Sequence, residues 1–75
     1  MKESKTFLQI WADLDSRQQE EVRAAVIAAT RVSTTAFWKW INGKSRPGTF
    51  PMQHQVLQAV NATLGTSYTR QQLFP

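Results

Sequence analysis

Phe7, Ile10, Trp11 and Leu14 recur at i, i+3, i+4 and i+7, the spacing that lines one face of a helix. The pattern predicts a first helix from Thr6 to Leu14. Asp15-Ser16-Arg17-Gln18-Gln19-Glu20-Glu21 follows, offering cap oxygens and then Gln and Glu side chains where carboxylates favour the positive end of a helix dipole. Val22, Ala25, Val26 and Ala29 form the expected buried stripe of a second helix, and Ala24, Ala25, Ala28 and Ala29 are small enough to let a neighbouring helix approach closely. Thr30-Arg31-Val32 leaves only a short connection, and a turn that short between two helices forces a sharp crossing.

The next segment, Val32 to Pro47, is the most informative part of the chain. Ser33 can accept from a free N–H of a first helical turn, and Val32 and Phe37 stand where a hydrophobic staple sets the angle at which the chain joins that helix. A third helix is expected over Thr34 to Asn42. Phe37, Trp40 and Ile41 fall on one side of it, with Thr34, Thr35, Trp38, Lys39 and Asn42 on the other. Asn42-Gly43 is a stop signal, because glycine tolerates the left-handed backbone of a C-terminal cap, and Pro47 prevents an early restart. The loop between them carries Lys44, Ser45 and Arg46. An apolar face for packing and a polar, basic face free for a partner are what a helix inserted into a DNA groove requires.

Beyond that loop, Thr49 is a candidate cap and Pro51 suits a first helical turn. Val56, Leu57, Val60 and Leu64 make the stripe of a fourth helix that Gly65 closes. Thr69-Arg70-Gln71-Gln72 has the form of a capping box, with Tyr68 and Leu73 placed for a staple, so a one-turn fifth helix should set Leu73 and Phe74 on the core. Repeats, low-complexity segments and alternating strand patterns are absent from the sequence. The expected fold is all-α, with five helices in one compact domain spanning residues 1–75.

At 75 residues the chain is near the lower end of what a single core stabilises without staples. It has no cysteine, which excludes disulfides and thiolate metal sites, so the core must come from packing of a 41% apolar composition with three Trp and four Phe. The net charge of +4 is unevenly laid out: Glu3, Asp13, Asp15, Glu20 and Glu21 all precede residue 22, whereas Arg23, Arg31, Lys39, Lys44, Arg46 and Arg70 follow with no carboxylate side chain. A one-signed segment is the electrostatic footprint of a polyanion binder, since released counterions favour association with phosphates; its alternative is a solvated basic surface. No apolar run approaches the roughly 20 residues that span a bilayer, and Met1 to Lys5 leads into no signal-peptide core. The chain therefore reads as a complete cytoplasmic protein without membrane contact.

Enzymatic chemistry finds little support. His54 is the only histidine and lies with Gln53 and Gln55 on a helix face expected to be exposed; no acid partner or second ligand stands at triad or metal spacing. Glu20 and Glu21 are adjacent and so point in different directions on a helix. No catalytic residue, metal ligand or cofactor is predicted.

Val32-Ser33, Trp40, Asn42-Gly43-Lys44 and Pro47 resemble the signature of the lambda-repressor-like, Cro-type helix-turn-helix family. The resemblance covers about residues 22 to 74. It departs from the family at two places, where Ile27 stands for a small residue within the second helix and Arg31 for a glycine in the turn. It implies a sequence-specific double-stranded-DNA binder, a small bacterial or mobile-element transcriptional regulator of repressor-like type, nucleoid-associated when bound. The third helix would enter the major groove with its N-terminal half leading. Thr34, Thr35 and Lys39 would then meet base edges, and Trp38 would pack on a sugar or a thymine methyl or else fold over the first helix. Arg23, Ser33, Asn42, Lys44, Ser45 and Arg46 are suited to phosphates, which set register without reading sequence. A homodimer on a palindromic site stays open, as does a second use of the scaffold, a protein-interaction module anchored by an exposed Trp38.

Overall fold

Thr6 stops the chain from fraying into a first helix: its hydroxyl accepts from the Gln9 N–H at 3.2 Å, and the Gln9 side chain returns to the Thr6 N–H at 2.9 Å. The same reciprocal box recurs at Asp15 with Gln18 and at Thr69 with Gln72, while Ser33 and Thr49 cap with their hydroxyls alone. Each cap satisfies a backbone donor that the helix itself cannot, and is worth roughly 1 kcal/mol. Five helices result in the computed structural model, which describes residues 5–75: α1 Phe7–Ala12, α2 Ser16–Thr30, α3 Thr34–Ile41, α4 Phe50–Leu64 and α5 Arg70–Leu73. No strand occurs among the described residues. The radius of gyration, 11.3 Å, equals the roughly 11 Å of a compact domain this size.

The core runs through all five elements. Phe7 and Ile10 of α1, Val22 and Val26 of α2, Phe37, Trp40 and Ile41 of α3, Val56 and Val60 of α4, and Leu73 with Phe74 at the end form one buried cluster. α2 packs most extensively on α4, while α1 and α2 both support α3. Phe7 and Phe74 meet edge to face at 5.8 Å, joining the first helix to the chain's last described turn.

Three expectations are corrected. The first helix ends at Ala12, not Leu14, because Asp15 must be extended (φ −77°, ψ 173°) to cap α2, and the chain has to leave the helix before it; Leu14 still packs on the core from the turn. On α2, Ala24, Ala28 and Ala29 are exposed, whereas Ile27 packs against the core. The buried face of α2 is rotated toward Ile27, whose larger side chain removes more apolar area from water than Ala29 could. Gln53 is buried, contrary to its placement beside His54 on an exposed face.

Gln53 is buried because two polar groups meet there. Its amide nitrogen donates to the carbonyl of buried Pro47 at 2.9 Å, and its amide oxygen accepts from Arg70 at 3.2 Å. The loop after α3, the start of α4 and α5 are thus joined through one side chain. Arg70 also lies 4.8 Å over the exposed Phe50 ring. Gln53→Leu is expected to cost about 1–3 kcal/mol, the penalty of a buried carbonyl left without its donor, read as a lower midpoint in urea unfolding; an unchanged midpoint would show the carbonyl to be hydrated. Asn61 has a similar role at the other end of α4. After Gly65 turns the chain at φ 66°, Asn61 accepts from the Thr66 hydroxyl and the Tyr68 N–H and donates to the Tyr68 carbonyl.

Candidate nucleic-acid interface

α3 is attached to the core by three buried side chains, Phe37, Trp40 and Ile41, and these define which way the rest of the helix faces. Projected at about 100° per residue, Thr35, Lys39 and Asn42 lie within roughly 35° of the direction opposite that core, and Trp38 about 70° to one side. Thr35, Lys39 and Asn42 are exposed accordingly. Thr34 lies farther round, toward Ile41, and is exposed because it occupies the first turn. Ser33 caps the helix by accepting from Ala36 at 3.1 Å.

The end of α3 is closed by its own loop. Asn42 caps in the right-handed region, and its side-chain amide donates to the Trp38 carbonyl at 2.9 Å. Gly43 then takes φ 74°, which lets the N–H groups of Lys44 and Ser45 return to the Lys39 carbonyl at 2.9 and 3.3 Å. Lys44, Ser45 and Arg46 are all exposed, one turn beyond Lys39. Arg46 donates to the main-chain oxygen of Pro75 at 2.7 Å. The expected site residues from Ser33 to Arg46 therefore form one continuous surface. Arg23 lies on α2, where Glu20 holds its guanidinium in a two-point contact.

Trp38 is placed sideways. Its ring meets Trp11 of α1 at 5.2 Å and 88° and Phe37 at 5.4 Å, and Trp11 in turn meets Phe37 at 5.4 Å. Three aromatic rings packed edge to face gain attraction beyond their buried area. Trp38 nonetheless keeps 39% of its surface exposed, so one edge supports the fold and the other reaches solvent.

The acids among the described residues have partners of their own. Asp13 pairs with Lys5, Glu20 with Arg23 and Glu21 with Arg17, and Asp15 accepts from the Gln18 N–H as the cap of α2. The Asp13 carboxylate, through its hydrogen bond and its charge, holds the Lys5 ammonium above its ordinary pKa; the pair is exposed and adds little stability. Arg31, Lys39 and Lys44 join no ion pair among the described residues. The acids among the described residues are thus occupied near the first two helices, whereas Arg31, Lys39 and Lys44 on and beside α3 are not.

Among the described residues no group of three His, Asp or Glu side chains could hold a metal ion, and no helix is long and apolar enough to cross a membrane. A cleft of about 210 Å³ lies between the Lys44–Arg46 loop and Leu73 to Pro75. That is smaller than the roughly 300–1,000 Å³ usual for small-molecule sites.

No protein-family model, curated protein or solved structure matches the chain. The assignment of a function rests on the chemistry of the α3 surface itself.

Proposed function

We propose that the chain is a sequence-specific double-stranded-DNA-binding protein, a lambda-repressor-like helix-turn-helix domain that inserts α3 into the major groove. The observation that carries this reading is the exposed row Thr35, Lys39 and Asn42 on a helix whose opposite side is fully buried, followed directly by exposed Lys44 and Arg46. A threonine methyl meets the thymine methyl and its hydroxyl bonds either base type, while lysine donates to guanine O6 and N7. Lys44, Ser45 and Arg46 supply phosphate contacts that fix the helix in register. The role that follows is a small cytoplasmic transcriptional regulator without a cofactor, and a pair of copies on a palindromic site would place two α3 helices about one DNA turn apart.

A second reading has one observation in its favour. Trp38 (39% exposed) and Leu8 (46%) leave apolar surface beside Trp11, and a tryptophan of this kind can anchor a protein partner. Titration of ¹⁵N-labelled protein with random-sequence duplex at low salt separates the two. Amide shifts clustered on and around residues 33–46 are expected for groove binding. A spectrum unmoved by DNA would refute it and favour the protein-interaction module.

A further inference from the structure

Arg31 is the single non-glycine residue with positive φ among the described residues (φ 58°, ψ 30°); the other two are Gly43 and Gly65. Its N–H closes α2 on the Ile27 carbonyl at 2.6 Å, and the chain then turns through Val32 into the Ser33 cap of α3. A side chain with a Cβ is disfavoured in this region, and arginine lacks the short polar group that eases it for Asn or Asp. Glycine would make the same turn without that cost. Its side chain is exposed and makes no hydrogen bond or ion pair among the described residues, so nothing there offsets that cost. A backbone held in a sparsely populated region is a pointer to function when its side chain has no structural use.

We infer that Arg31 is a phosphate ligand that secures the leading end of α3 on the DNA backbone; this rests on the DNA-binding reading. Arg31 lies three residues before exposed Thr34, a span of at most about 10 Å. The major groove is about 12 Å wide. A cation that close to a groove-seated helix, but outside it, reaches the phosphates at the groove wall and not the base edges. The guanidinium fork matches two phosphate oxygens at once. Arg31 then adds affinity without sequence preference at the start of α3, and Lys44 does so beyond its end. The two cations bracket the reading face.

The test compares wild type, Arg31→Gly and Arg31→Lys by thermal unfolding and by fluorescence anisotropy with a random-sequence duplex over a range of salt. Arg31→Gly is expected to unfold at a higher temperature and yet bind more weakly. Its plot of log affinity against log salt should be shallower by about 0.9, the loss of one phosphate contact. Arg31→Lys is expected to keep most of the slope. A stabilised Arg31→Gly with unchanged affinity and slope would overturn the inference and leave the DNA-binding reading standing. A destabilised Arg31→Gly would also overturn it, by showing that the side chain supports the fold. Wild type that binds no duplex at low salt would remove both.

Discussion

Phe37→Ala is expected to remove a large part of the fold's stability. Phe37 is wholly buried and touches the rings of both Trp11 and Trp38, and Val32 packs against the same cluster just before the α3 cap. Removing a buried Phe side chain costs about 3–5 kcal/mol, the lost transfer energy plus the cavity left behind. A domain of this length has a total stability of only about 4–11 kcal/mol. In thermal unfolding followed by circular dichroism the midpoint should fall by about 12 °C or more. Phe37→Leu, which keeps most of the volume, should lose much less. A drop of under about 1 kcal/mol for the alanine variant would show that α1 and α3 close over the gap, and that Phe37 is not the point where they are joined.

That position was legible in the sequence, and the reason is physical. Helix faces and helix ends are local properties: the spacing of Phe37, Trp40 and Ile41, the hydroxyl of Ser33 and the glycines at 43 and 65 each act within one or two turns of themselves. The caps at Asp15, Ser33, Thr49 and Thr69 are therefore found where the sequence puts them. α1 was overextended because its end is decided by the needs of the next helix, whose Asp15 cap claims an extended backbone. Ala29 and Ile27 exchanged places because the rotation of α2 depends on what α4 and α3 offer it, information that no window of a single helix contains. Gln53 and Asn61 were missed for the same reason. An amide side chain has no apolar signature, and its burial is stabilising only once partners from outside its own helix arrive beside it: Pro47 and Arg70 for Gln53, Thr66 and Tyr68 for Asn61.

The candidate site shows the same division. The identity of the outward residues on α3 and their order round the helix followed from periodicity, but the packing of Trp38 did not. Burial of Trp40, Phe37 and Ile41 sets the outward direction close to Thr35 and Lys39, and the Trp11 ring draws Trp38 to the flank. Both open readings of Trp38 at the sequence level thus describe part of it, since one edge packs on α1 and the other remains exposed. The asymmetry of charge was visible in the order of residues. Its strength was not, because pairing of Asp13, Glu20 and Glu21 with their own neighbours depends on rotamers within α1 and α2. Arg31, Lys39 and Lys44 join no such pair among the described residues, which is the arrangement the proposed phosphate contacts require.

Lys39→Ala is the substitution expected to separate base reading from mere adhesion. Lys39 is exposed near the centre of the outward face and joins no ion pair among the described residues, so its removal leaves the fold intact and the midpoint of unfolding nearly unchanged. Loss of one base contact costs about 1–3 kcal/mol of discrimination, a factor of about 5 to 150 in affinity. The measurement is a selected duplex against a random one, with the preferred site first obtained by binding-site selection on the wild-type protein. Lys39→Ala should weaken the selected duplex far more than the random one and relax preference at a single base position. Lys44→Ala, one turn on and proposed as a phosphate ligand, should weaken both alike and make the salt dependence shallower by about one phosphate contact. Equal losses for Lys39→Ala on the two duplexes would reduce Lys39 to another phosphate ligand, and recognition would then have to come from Thr34, Thr35 or the exposed edge of Trp38.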